Sequence, residues 1–350
     1  MQKERFIAKS KGLFVASLLL IGLGLAVTGC QNEAKKSPSQ YPSGNLDFVA
    51  PAGVGGGWDT TIRTVAKVLG DTKIVTTPMT VRNAPGAGGA VHLSSLQQNK
   101  ANANTITVYS PPILFFNLNG SSPYGFRDTK PLARLIADYA AFIVKADSPY
   151  QTIGDIMEAL KKDPTSVKIG GTSARGSMDH VQFLIIAQAA GVQDLDKISY
   201  RSFQVDGATI SAGERMNSAL KSDYIQVIST GLSDAMEMVE SGEFRAIAQT
   251  ADRRVGTGKQ AEIPTCKESG IDATFINWRG LFGAPEMPEY AVEFWRNALK
   301  RMQDTPEWKA ACEKNGWDMI YLDAPAFKEF LEKTEKEYIT VMESIGMLKK

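Results

Sequence analysis

The sequence predicts an α/β protein of two lobes, each a mainly parallel sheet flanked by helices, with a ligand cleft between them. Three observations carry this. Apolar strand-like runs alternate with amphipathic helical ones from Leu46 onward. Three strands end in loops of small residues that open onto a helix. Two of these loops fall in one half of the chain and the third in the other. Repeated strand–loop–helix units favour parallel sheets covered on both faces. Such sheets bind ligands at strand carboxyl ends, beside helix N-termini.

LDFVAP reads as a buried strand running into APAGVGGGWDT, residues 50–60, where Gly53, Gly55, Gly56 and Gly57 leave the backbone bare. Glycine lets main-chain N–H groups approach a ligand closely and reach positive φ. Neither nucleotide loop fits. No lysine follows until Lys67, and from Gly53 the third glycine of a dinucleotide fingerprint falls on Trp58. Ile62, Val65, Ala66 and Leu69 then mark one helix face, with Asp59 or Thr60 as cap. The loop therefore opens a helix N-terminus, where unpaired N–H groups and the dipole favour an anion.

IVTTPMTVRN is a second strand, leading into the turn APGAGG, residues 84–89, and a short helix. TITVYS is a third, stopped at Ser110 by Pro111 and Pro112, and LIADYAAFIVKAD is a longer one. TIGDIMEALKKDP opens with a capping box, Thr152 with Asp155. KIGGTSARGS repeats the strand-to-small-loop pattern before a helix from Met178 to Ala190. KISYR, DYIQVIST and FRAIAQT are strands, with a helix from Asp234 to Glu240 between the last two, and FINWRGLFGAP returns to strand. Three helices close the chain. One buries Ala291, Phe294, Trp295, Ala298, Leu299 and Met302, one starts at Thr305-Pro306, and one runs from Ala326 to the region of Met347.

Ahead of these elements, Lys3, Arg5, Lys9 and Lys11 precede an apolar run from Leu13 to Val27 and the tetrapeptide V-T-G-C ending at Cys30. That is the layout of a secretory signal, and its end resembles a bacterial lipobox, whose cysteine is acylated. The apolar run is shorter than the ~20 residues a spanning helix needs. The expectation is a signal peptide over 1–29, then lipidated Cys30 and a polar, disordered tether over 30–45. The folded part is then extracytoplasmic and touches the cell membrane through lipid on Cys30. One acyl chain holds weakly, so a diacylglyceryl anchor is expected.

Lysine and arginine number 39 against 38 acids; without the leader the count is 35 against 37, a formal balance of −2. No long basic run exists, so nucleic-acid binding has no electrostatic footprint. Cys266 and Cys312 are expected as free buried thiols. With His92 and His180 as the only histidines and no C-x-x-C or H-E-x-x-H, no metal site and no cofactor are expected. Ser173 and Ser177 do not form G-x-S-x-G, and no nucleophile–base pair is legible, which argues against an enzyme.

GVGGGWD, RNAPGAGG, GTSARGSMDH, PTCKESGI and NWRGLFGAP, in this order and spacing, resemble the solute-binding receptors of tripartite tricarboxylate transporters, the Bug-type proteins. The resemblance covers Leu46 to the region of Leu322. It implies a type II-like periplasmic-binding-protein fold that closes on a small di- or tricarboxylate. It also implies a monomer that delivers the ligand to a large and a small membrane subunit. Lobe 1 is expected over 46–145 plus 275–350, and lobe 2 over 146–274. The resemblance further implies that main-chain N–H groups, hydroxyls and water hold the carboxylate. Gly53, Val54, Gly55, Gly56, Gly57 and Asp59 match the first loop, Ala87 and Gly88 the second, with Ser110 beside them. Thr172, Ser173, Gly176 and Ser177 match the loop of the second lobe. Trp58, Arg175, Trp278 and Arg279 are further candidates.

Several of these residues have a plainer reading. Asp59 caps a helix or meets a ligand ammonium or hydroxyl. Trp58 is a gate over the cleft or a core anchor. Arg175 and Arg279 pair a carboxylate bidentately or bridge surface acids. Arg82 and His180 are read as structural. Two departures from the family pattern fall in lobe 2: the longer stretch at 202–213, and Gln226 where the family has an aspartate. Both bear on how the ligand's distal group is read. Two other functions stay open: a lipoprotein presenting its ligand to a sensor kinase, and an extracytoplasmic enzyme.

Overall fold

The computed structural model describes residues 41–204 and 210–349. The expected signal peptide, Cys30, most of the tether and the centre of the 202–213 stretch lie outside the described residues. The first half contains β1 (Leu46–Ala50), α1 (Gly57–Asp71), β2 (Met79–Asn83), α2 (Ala90–Leu96), β3 (Thr105–Tyr109) and α3 (Pro112–Leu118). β4 (Lys130–Lys145) leads into the second half: α4 (Ile153–Lys162), β5 (Lys168–Gly171), α5 (Met178–Ala189), β6 (Ser199–Ser202), α6 (Ala212–Lys221), β7 (Val227–Gly231), α7 (Leu232–Glu240), β8 (Phe244–Gln249) and the short α8 (Lys259–Glu262). β9 (Ile276–Gly283) returns, followed by α9 (Glu289–Gln303), α10 (Pro306–Lys314), β10 (Asp318–Asp323) and α11 (Ala324–Ser344).

The strands form one continuous mixed sheet. β2-β1-β3 and β6-β5-β7 are parallel triplets, as the strand–loop–helix repeats require. Antiparallel pairing is confined to the joining region, where β9 pairs β3 and β4, and β7, β8 and β10 pair β4. β4 is the pivot. Its residues up to Tyr139 pair with β9, and those from Ala140 pair with β7 and β8. The chain thus passes from the first parallel triplet's side of the sheet to the second within β4.

The stripe on α9 packs as its spacing predicts, with Ala291, Trp295, Ala298, Leu299 and Met302 buried, while Phe294 is only partly covered at the edge of that core. Tyr41 falls in the segment expected as tether, yet it is buried. Its hydroxyl donates to the Ala103 carbonyl at 2.6 Å and accepts from Trp295 Nε1 at 2.8 Å. Ordered packing therefore extends back to at least Tyr41. Cys266 and Cys312 are free and buried, and burial pushes both thiols up to about 12. Because the thiolate is the nucleophile, neither should react with iodoacetamide in the folded protein and both should after denaturation. Alkylation of either thiol before unfolding, read by mass spectrometry, would contradict this packing.

Candidate functional site

A cavity of about 640 Å³ lies where the carboxyl ends of the parallel strands meet the joining region. That volume suits a small ligand. Gly57, Trp58, Ala87, Gly88 and Ser110 line it from the first half. Thr172, Ser173, Arg175, Ser177, Asp179, Thr230 and Asp234 line it from the second, and Asn277 and Arg279 of β9 lie between.

Of the loop's glycines only Gly57, where α1 begins, lines this cavity, with Ala52 and Trp58 on either side of the run. Gly56 is the N-cap, in extended backbone and with no side-chain cap, so neither Asp59 nor Thr60 caps the helix. Asp59 instead turns back and accepts from Gly55 N at 2.9 Å, Arg63 Nε at 2.8 Å and Asn83 Nδ2 at 2.8 Å. Burial pushes its carboxyl up, but these hydrogen bonds hold it below the usual carboxylate range. Asp59 is a strap for the loop, not a wall of the cavity. Gly53, Val54, Gly55 and Gly56 also lie off the wall, and Val54 is 80% exposed.

Trp58 is both anchor and wall. Its Nε1–H donates to Ser110 Oγ at 2.9 Å and its ring meets Tyr109 edge-on at 5.5 Å, while it also faces the cavity. The second glycine turn fits against it. Gly86, Ala87, Gly88 and Gly89 all have positive φ, and a Cβ at Gly89 would lie 2.9 Å from the indole. Only glycine adopts such backbone at little cost, which explains three glycines there.

The loop of the second half repeats the strap. Asp179, buried in the first turn of α5, accepts from Thr172 N at 2.8 Å and Ser173 N at 2.9 Å. Burial pushes its carboxyl up against those bonds. Gly176 N donates to His180 Nδ1 at 3.0 Å, and burial drives that imidazole down to about 3, so it stays neutral and structural. Ser177 N is taken by the Ala174 carbonyl. The expected main-chain donors at Gly55, Thr172, Ser173 and Gly176 are therefore already spent inside the protein, and Gly176 is not on the wall. What the cavity offers instead is the first turn of α1 at Gly57, the hydroxyls of Ser110 and Ser177, that of Ser173, which already accepts from Asp179 N at 2.8 Å, the Asn277 side chain, and Arg279; the Thr172 hydroxyl donates to Asp179 Oδ2 at 3.3 Å.

Arg279 is 4% exposed, against the expectation of a solvated or surface-bridging side chain. Its Nη1 donates to Thr61 Oγ1 at 3.2 Å, its Nη2 to Asp138 Oδ2 at 3.2 Å, and the guanidinium faces the Trp317 ring. It packs directly against Gly57, where an added Cβ would lie 2.8 Å from its Cζ. Arg175 is exposed at the rim, donating to the Asp196 carbonyl. Trp278 points to the opposite face of β9, as alternation along a strand demands. It is fully buried against Phe327 and Phe330. Asn277, Asp138 and Asp234 were not singled out from the sequence as site residues. Asn277 alone had a local signal, lying two residues from Arg279 and so on the same face. Among the described residues, no cluster of metal-ligating side chains is present and no helix is long and apolar enough to cross a membrane.

The family model described as "Tripartite tricarboxylate transporter family receptor" matches residues 62–347. Over its whole length the chain is 25% identical to the "UPF0065 protein in gbd 5'region" of Cupriavidus necator, of which it covers 99%. Its structure is similar to that of an R. palustris protein with adipate, at a TM-score of 0.73 and 18% identity, covering 87% of this chain and 98% of that one. It is also similar to MatC from Rhodopseudomonas palustris with bound malate, at a TM-score of 0.65 and 17% identity, covering 88% and 100%. At such identities the structural likeness is one of fold.

Proposed function

Since the chain belongs to the tripartite tricarboxylate transporter receptor family, solute-binding receptors rather than enzymes, we propose that it binds a small organic carboxylate of the di- or tricarboxylate type and delivers it to the large and small membrane subunits of such a transporter. The observation that supports this best is the convergence of buried Arg279 and the N-terminus of α1 at Gly57 on one cavity. A carboxylate there accepts charge-assisted bonds from the guanidinium and from first-turn N–H groups that have no intrahelical partner. The adipate and malate found with two proteins of the same fold have this chemistry. Gly57, Trp58, Ala87, Gly88, Ser110, Thr172, Ser173, Ser177 and Arg279 form the proposed contact set.

Since the cavity draws walls from both halves and β4 and β9 join them, the ligand is proposed to draw the lobes together by bending at those strands. Solution scattering with malate or adipate should show a smaller radius of gyration and a raised melting temperature. A bound acid that leaves scattering unchanged would count against closure. The proposed receptor is a monomer held outside the cytoplasm by lipid on Cys30. Cys30→Ala should abolish fatty-acid labelling and leave an unprocessed or released chain; unchanged labelling would rule the anchor out.

A further inference from the structure

We propose that Asp234 selects the ligand by pairing with a protonated nitrogen, so that the cleft takes carboxylates carrying an ammonium group ahead of plain or hydroxy acids of the same skeleton. This rests on the carboxylate-receptor reading above and narrows it.

Asp179 and Asp234 line the cavity and Asp138 lies next to its lining residues Arg279 and Gly231; Asp138 and Asp179 are already satisfied. Asp138 is bonded by Arg279, by the Ser233 hydroxyl and by Tyr139 N. Asp179 is bonded by Thr172 and Ser173. Asp234, in the first turn of α7, lines the cavity and is open to it, and no described residue donates a hydrogen bond to it. Gly231 makes room for this arrangement. A Cβ there would lie 2.9 Å from Asp234 Oδ2 and 3.4 Å from Asp138 Oδ2, so both carboxylates front the same patch.

Charge then decides what the patch accepts. Asp138 is paired with the one buried guanidinium, Arg279, and Asp179 with the Thr172 and Ser173 loop, which leaves the charge of Asp234 without a cation of its own. A carboxylate end is served by Arg279 and α1, but a second anionic end meets an unpaired acid, and like charges in a partly desolvated site repel. A hydroxyl can donate to Asp234 but leaves that charge in place. An ammonium both donates and neutralises it. The charged groups facing Asp234 are Asp138 of β4, Arg279 of β9, Asp179 of α5 and Glu237 of its own helix. Enclosure by the cleft walls and then Asp138 push its carboxyl up to about 6, against Arg279, although the side chain itself is open to the cavity. The ionised form is the one that pairs, so the preference should fade as pH drops below that value.

Titration calorimetry near neutral pH with matched acids tests this: succinate, malate and aspartate; glutarate and glutamate; adipate and 2-aminoadipate. For wild type, at least one amino member should bind about ten- to a hundredfold more tightly than its plain partner. Asp234→Asn should bring the two within about threefold, since only the uncharged bond remains. If every amino member is matched in affinity by its plain or hydroxy partner, the inference is overturned and the carboxylate reading stands. An amino preference that survives Asp234→Asn has the same consequence. No binding by any member overturns both. The wild-type ranking is decisive even if the variant does not fold.

Discussion

Arg279→Ala should lower folding stability by about 3–5 kcal/mol, the usual cost of removing one partner from a buried ion pair. Arg279 is 4% exposed and Asp138 1%, so the carboxylate would lose its one charged partner. The Ser233 hydroxyl and Tyr139 N would still reach Asp138, but neither carries charge. Carboxylate affinity should fall below detection, because the cleft then presents acids without their cation. Arg279→Lys should recover part of the stability and little of the binding, since an ammonium cannot reach Thr61, Asp138 and a ligand from one planar fork. Urea denaturation and calorimetric titration read the two effects separately. A loss below about 1 kcal/mol on Arg279→Ala would mean that the Arg279–Asp138 pair contributes little to folding.

The second large effect is at Gly57. A side chain there puts Cβ 2.8 Å from Arg279 Cζ and closer still to Nη2, so the guanidinium must leave its place. Overpacking of this kind costs about 1–3 kcal/mol, and it displaces the cation from the helix terminus. Gly57→Ser should therefore weaken carboxylate binding at least about tenfold, the effect of losing one charged hydrogen bond. Gly56→Ser is the control. Its backbone is extended, the nearest atom to an added Cβ is Gly53 O at 3.7 Å, and serine is a favoured N-cap. Its affinity should stay within about twofold of wild type. Equal loss in both variants would mean that the loop acts as a whole rather than through contact with Arg279.

The glycine run in the sequence did not distinguish these two positions. Periodicity and loop chemistry located α1, α5 and α9 and three of the walls, because those signals are local. What escaped was long-range. Asp138 meets Ser233 and fronts Gly231 only because β4 pairs with β7. Arg279 is buried only because α1 and Trp317 close over it. The straps at Asp59 and Asp179 had a faint local signal, since both acids sit in the first turn of a helix that follows a small-residue loop. Reading those loops as free donors ignored an acid close enough to use them. Four elements were passed over, α3, α6, α8 and β10. α6 carries a legible capping box, Ser211 with Glu214. β10, paired with β4, buries too little of either face to show a clear alternation.

The central claim is that a small carboxylate, held through its charge, sits between Arg279 and the first turn of α1. Titration calorimetry of wild type with the tightest-binding acid of the matched set, and with the analogue in which that acid's carboxylates are replaced by uncharged amides, tests it most directly. The acid should bind and the amide should bind at least about tenfold more weakly, since charge-assisted hydrogen bonds are about twice as strong as neutral ones. Equal affinity for acid and amide, or no binding of any acid in the set, would contradict the account.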